Sequence, residues 1–225
     1  HHAERISGLG ADGHPKRGGF LPPVPLPRRM WASSRGTFLS PLMLGDTARR
    51  HSTIIDVRQR LGGSGALVFV TLKHEIFARD KLVIEEIQDL VYRDRDITSG
   101  RTLPAPDDGQ WHRKITPDSV MLFRYSALTF NSHRIHFDIP YATEVEGYPG
   151  LVVAGPLLGD WLHQIVDEWL DDAGMITGIE YSNRIAAFVG ETVTAGGTVT
   201  QYDPDSGALT LEVFVKNDRD EVLAP

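Results

Sequence analysis

At 225 residues the chain is long enough for one large domain or two small ones, each able to bury a core. Thirty acidic residues against 23 basic ones give a formal charge of -7, with no basic run longer than a pair, which argues against a nucleic-acid or anionic-membrane partner and points to a small molecule. The absence of cysteine excludes a disulfide framework and thiolate zinc sites and suits a reducing cytosol. No apolar run reaches the roughly 18 to 20 residues of a membrane helix, and the first residues lack the charged-then-apolar order of a signal peptide. A soluble, cytoplasmic protein is expected, or a mitochondrial one if the source is eukaryotic. The leading His1-His2 carries no weight, being equally compatible with a tag remnant.

In chain order, residues 10–30, "GADGHPKRGGFLPPVPLPRRM", are too rich in Gly and Pro to hold a helix. Residues 44–84 read as strand, turn, strand, turn, strand. Residues 94–117, rich in Asp, Gly and Pro, read as a linker. The stretch "TFNSHRIHFD" at 129–138 then places His133 and His136 between Asn131 and Asp138. It follows the apolar "MLFRYSALTF", read as a strand end, and precedes "GLVVAGPL", read as the start of a helix.

That helix is the clearest element. Over 155–171, Leu157, Leu158, Trp161, Leu162, Ile165, Val166, Trp169 and Leu170 follow an i, i+1, i+4, i+5 rhythm opposite Asp160, His163, Gln164, Asp167 and Glu168. Pro156 suits the first turn, and Gly174 the closing cap. Three strand-like segments follow, at 176–188, 190–203 and 207–217.

Two blocks recur. Gly45-Asp46-Thr47 answers Gly190-Glu191-Thr192, and Ser64-Gly65-Ala66-Leu67 answers Ser206-Gly207-Ala208-Leu209, which predicts a duplicated unit cut in the linker, 1–115 and 116–225. The second copy has its helix upstream of the repeated strands. The first has none in this sequence, and an upstream helix is the expectation.

Chemically, the histidine pair lacks cysteine partners, and a metal would need distant help from His163 or Asp138, so no metal is expected. A helix start exposes backbone N–H groups and the positive end of the macrodipole, which stabilise an oxygen gaining negative charge. An imidazole, with an ordinary pKa of about 6.5, can take a proton from water. These pieces fit water addition beside a carbonyl, and they also fit hydrolysis.

The residues Asn131-Ser132-His133-Arg134-Ile135-His136, then Tyr141-Ala142 and Val152-Val153-Ala154-Gly155-Pro156, resemble the MaoC-like, hydratase 2 type of hotdog enzyme. "LFRYSALTFNSHRIHFD", "YPGLVVAGPL" and "LPRRMWA" resemble its branch of mesaconyl-C4-CoA hydratases, itaconyl-CoA hydratases and 3-hydroxyacyl-thioester dehydratases type 2. The resemblance implies an α+β double hotdog, two antiparallel sheets each wrapping a helix. It implies reversible hydration of a 2,3-unsaturated acyl-CoA thioester, with no cofactor.

By the same resemblance His136 falls on the catalytic histidine and Gly155 on the glycine whose N–H polarises the thioester carbonyl. Asn131 stands where relatives carry a catalytic aspartate, and an amide cannot accept a proton at neutral pH, so its implied part is to orient water. His133, Asp138, Tyr141 and Arg134 are the expected substrate contacts. His133 and Asp138 are also candidates for the donor of the α-carbon proton, which stays unassigned. Hotdog thioesterases and a non-catalytic thioester-binding subunit are the alternatives. Exposed sheet edges leave room for a homodimer.

Overall fold

The structure, a computed structural model, describes residues 4–62, 65–94 and 105–225. In chain order these form β1 (Arg28–Phe38), β2 (Ala48–Gly62), β3 (Gly65–Ala78), β4 (Lys81–Arg93), β5 (Trp111–Ile115), α1 (Ser119–Thr129), α2 (Gly155–Leu170), β6 (Gly178–Ser182), β7 (Val193–Tyr202), β8 (Leu209–Asn217) and β9 (Val222–Ala224). One sheet runs β2-β3-β4-β1-β6 and the other β5-β7-β8-β9, with every pairing antiparallel.

The matched glycines share a backbone conformation. Gly45 and Gly190, the first matched pair, have φ of 90° and 84°, and Gly65 and Gly207, the second, have 103° and 71°. Each of these positions needs a left-handed turn that glycine takes without a Cβ clash. The strands that follow, β2-β3-β4 and β7-β8-β9, are both antiparallel meanders. Between β3 and β4, Arg79 and Asp80 both take positive φ, 51° and 57°, as a two-residue hairpin turn requires.

The compact units do not follow the expected cut at 115/116. One unit gathers the described parts of 1–24, 100–165 and 184–225, and the other those of 25–99 and 166–183. Strand pairing is the physical reason. β6 lies late in the chain but pairs with β1, Ser33 opposite Ser182 and Thr37 opposite Gly178. In that unit polar side chains pair across the strands: His74 reaches Ser52 through Nδ1 (2.7 Å) and Gln88 through Nε2 (3.0 Å), while Thr71 and Ser33 both donate to the Asp89 carboxylate. A one-residue slip would orphan these largely buried groups, so they fix the register.

Two expected features differ. Residues 95–104 of the expected linker lie outside the described residues, but 111–115 form β5, which pairs with β7 from Trp111–Gly197 to Ile115–Val193. Its short run of Trp, His, Arg, Lys and Ile gives little strand signal. What holds it is the bare backbone opposite, since a Cβ on Gly197 would lie 2.5 Å from the Trp111 ring. "MLFRYSALTF" is also no strand end, but the body of α1.

α2 matches its periodicity. Leu157, Leu158, Trp161, Leu162, Ile165 and Val166 are buried, while Asp160, Gln164, Asp167 and Glu168 are exposed, though Trp169 remains 39% exposed. Gly174 is not its left-handed cap: Asp171 takes that conformation at φ 50°, and Gly174 is extended at -166°.

Candidate active site

The site is assembled within one unit, beginning at α1. Asp118 caps that helix, its carboxylate accepting from the Met121 N–H at 2.7 Å. At the other end Phe130 turns left-handed (φ 55°), its N–H bonding Ala127 O while the Asn131 N–H bonds Ser126 O. This paired closure ends a helix sharply and throws the next residues back across it. Asn131 is thereby buried, and its Oδ1 accepts from the His133 N–H at 3.2 Å. Its Nδ2 remains as the polar end able to hold a water.

A 3-10 turn, Arg134–His136, carries the catalytic candidate. Residue 152 holds it on both sides: Val152 N–H bonds Ile135 O at 3.0 Å, and Val152 O lies 2.7 Å from His136 Nδ1. Val153 N–H in turn bonds Ala187 O, and Leu151 to Ala154 are all buried. Gly155 follows directly as the first residue of α2, where an N–H has no intrahelical acceptor. The buried segment 151–154 thus connects His136 to the amide end of α2.

Protonation follows from these contacts. A carbonyl can only accept, so Nδ1 of His136 carries the hydrogen and Nε2 is left with its lone pair. His136 is only 6% exposed. Burial lowers its pKa from 6.5 to about 4, the Val152 bond opposing and the charge of His14 adding to the shift. The ring is neutral at pH 7, with an acceptor nitrogen in a dry setting.

The remaining expected contacts are brought together, but largely with one another. Arg134 grips Asp138 through Nε (2.9 Å) and Nη2 (2.7 Å), donates from Nη1 to Ala11 O, and lies 4.1 Å from the Tyr141 ring centre. Asp138 also accepts from the Tyr141 N–H. Arg134 first, and this amide second, hold the Asp138 carboxyl below the usual carboxylate range. Tyr141 bonds Glu146, and burial, with the Glu146 charge behind it, pushes the phenol up to about 12. These three side chains brace the loop.

The residues missed from sequence are Asp12 and His14. Arg134 N–H bonds Asp12 O at 2.9 Å, and Ser132 donates to Gly13 O, so the glycine-rich N-terminal loop docks on the histidine cluster. Asp12 Oδ2 lies 3.3 Å from His14 Nδ1, and Oδ1 accepts the His14 N–H. His14 stacks on His133 with ring centres 4.0 Å apart, and His133 meets His136 edge-on at 5.3 Å. A Gly13 Cβ would fall 1.8 Å from Ser132 O, so only glycine allows this approach. Asp12, His14 and His133 each present an atom of ligand type, all within 4.8 Å of one another. Asp12 and His14 are already engaged with each other, and His14 with the His133 ring.

A model of the hydroxyacyl-thioester dehydratase type 2 family matches residues 1–189. The chain is 49% identical over 166 residues to mesaconyl-C(4)-CoA hydratase of Chloroflexus aurantiacus, covering 71% of this chain and 58% of that protein. It is 33% identical over 176 residues to the mitochondrial hydroxyacyl-thioester dehydratase type 2 of Schizosaccharomyces pombe, covering 68% and 59%. The chain therefore spans less than two thirds of the length of the curated relatives it matches. Among solved structures it resembles a MaoC-like dehydratase (TM-score 0.73, 15% identity, 90% of this chain and 75% of that one). It also resembles a Mycobacterium tuberculosis protein described as a double hotdog (TM-score 0.61, 15% identity, 86% and 72%). The fold is the α+β double hotdog that the sequence resemblance implied. The chain belongs to the hydroxyacyl-thioester dehydratase type 2 family.

Proposed function

We propose that this chain carries the hydration site of an acyl-thioester hydro-lyase, adding water reversibly across a 2,3-unsaturated acyl-CoA. One observation carries the reading: His136 is buried and neutral, its Nδ1–H fixed on Val152 O, and Val152 stands three residues ahead of the open N–H of Gly155. The geometry supports an acceptor nitrogen for the proton of water and a backbone donor for the thioester oxygen on one short segment.

In this reading Gly155 N–H draws charge onto the thioester oxygen, a donor type that contributes about 2.7 to 4 kcal/mol in a preorganised site. Water, held by Asn131 Nδ2 and His136 Nε2, gives a proton to the imidazole as its oxygen attacks the β-carbon. The lowered pKa keeps the ring in its proton-accepting form at pH 7. Dehydration runs the steps in reverse. The relatives named for mesaconyl-C(4)-CoA and hydroxyacyl-thioesters support a C4 or C5 dicarboxyl thioester or a longer enoyl thioester as substrate.

The test is a panel of crotonyl-, mesaconyl-, itaconyl- and longer enoyl-CoAs, followed by ultraviolet loss of the conjugated double bond. Loss of absorbance without release of free CoA supports the reading. CoA release from saturated acyl-CoA with no hydration makes the protein a thioesterase, and tight binding with no turnover makes it a binding subunit.

A further inference from the structure

A water that attacks carbon through one lone pair has its other lone pair and two hydrogens to place. In the hydration reading Asn131 Nδ2 serves that lone pair and His136 Nε2 takes one hydrogen. Asn131 Oδ1 is engaged by the His133 N–H, so the second hydrogen still needs an acceptor.

α1 supplies one. Its buried residues are Leu122 and Ser126, one turn apart on its inward side. Ser126 is 8% exposed, and among the described residues its buried Oγ has no hydrogen-bond partner. A helical serine or threonine can satisfy itself on the carbonyl one turn back, as Thr129 does on Tyr125 O at 2.7 Å. Ser126 makes no such bond. A buried hydroxyl without a protein partner is costly, which points to a small polar guest.

The place of this hydroxyl follows from the end of the helix. The Asn131 N–H bonds Ser126 O at 2.9 Å while the Phe130 N–H bonds Ala127 O at 3.3 Å, a closure that brings the side chains at 126 and 131 to one side. Those two positions are commonly apolar and in contact. Here they hold a serine and an asparagine, and Asn131 is as deeply buried as its neighbour, at 7% exposed.

We propose that Ser126 is a third holder of the reacting water, its Oγ accepting the hydrogen that stays on oxygen. The proposal rests on the hydration reading and completes its water site. With Ser126, Asn131 and His136 fixing three of its four directions, the water has one lone pair left for the β-carbon. As that bond forms, the O–H facing His136 Nε2 breaks and its proton goes to the imidazole. The other O–H survives in the product hydroxyl and remains on Ser126 Oγ. Ser126 itself neither gives nor takes a proton.

The experiment compares Ser126→Ala, Asn131→Ala and the double variant, in the full chain, on the best enoyl-CoA of the panel. Alanine suits a helix, so the fold should hold, and the melting temperature should stay or rise as the unpaired hydroxyl is removed. Ser126→Ala is expected to lower kcat about 10- to 100-fold with KM little changed. The double variant is expected to lose about as much as Asn131→Ala alone, because both residues act through one water. A Ser126→Ala rate equal to wild type overturns the proposal. So do losses that multiply in full in the double variant, the sign of two separate effects. Crystals of the full chain should show an ordered water within about 3.2 Å of both Ser126 Oγ and Asn131 Nδ2. Ser126 Oγ bonded to a protein carbonyl in those crystals overturns the proposal whatever the variants do. A wild type that hydrates nothing sinks the hydration reading and this role with it, whereas an active wild type with an undiminished Ser126→Ala sinks only Ser126.

Discussion

His136 Nδ1 and the carbonyl oxygen of Val152 lie 2.7 Å apart in a buried setting, and this one contact sets the tautomer and the position of the ring. A side chain 16 positions upstream is tied to the backbone that leads straight into α2.

Replacing His136 by Ala should lower the hydration rate by about 10²- to 10⁴-fold, with a smaller effect on substrate affinity. Enoyl-CoA hydration by the variant, with near-ultraviolet circular dichroism to exclude unfolding, checks this. Near-normal turnover would remove His136 from the role.

The same ring makes stability depend on pH. Its folded pKa, about 4, is below the unfolded value of 6.5, so between these limits the unfolded chain binds more protons. The contribution is fully present above about pH 6.5 and is lost as pH falls toward 4, on the order of 3 kcal/mol in all. Urea unfolding at pH 7 and pH 5 should show a larger loss for the wild type than for His136→Gln. Equal losses would place the sensitivity elsewhere.

Two glycines of similar φ should respond very differently to alanine. At Gly13 (φ 85°) the new Cβ meets Ser132 O at 1.8 Å, whereas at Gly45 (φ 90°) it meets nothing within 4 Å. Gly45→Ala should cost about 1 kcal/mol, from backbone strain alone. Gly13→Ala should displace the loop and lower activity as well as stability. Thermal melts and hydration assays of both variants separate the two cases.

Removing the cap of α1 with Asp118→Ala should cost about 1 kcal/mol, which is about 2 to 4 °C in melting temperature for a chain of this size. Because Asn131 directly follows the closing residue of α1, a measurable drop in kcat beyond the stability change would show that the helix end positions the water site. An unchanged melting temperature would mean that the cap is dispensable.

What could be read from sequence follows from where the information lies. α2 carries its apolar residues on one stripe, and the strands after the matched glycines alternate or run apolar between turn residues, so both were legible. α1 was not, because Val120, Phe123, Leu128 and Phe130 are exposed around it while Leu122 is buried, leaving no single stripe to count. His136 and Gly155 were singled out through a local motif and the family resemblance it carries. Asp12 and His14 were missed because their place in the cluster is tertiary: Ser132 bonds Gly13 O across 119 positions. The available signal was Asp-Gly-His at a glycine that must be left-handed, inside a stretch dismissed as loop.

The pairing of β6 with β1 has a bearing on how the molecule comes into being. Asn183 reaches the Trp31 carbonyl across 152 positions of chain, and the five β6–β1 pairs alongside it complete the sheet that starts near the front of the sequence. A ribosome must release most of the polypeptide before that edge of β1 finds its neighbour, and a nascent chain stopped after β4 presents a naked row of amides and carbonyls. Long-range closure of this kind makes maturation slow and puts the hazard of misassembly early.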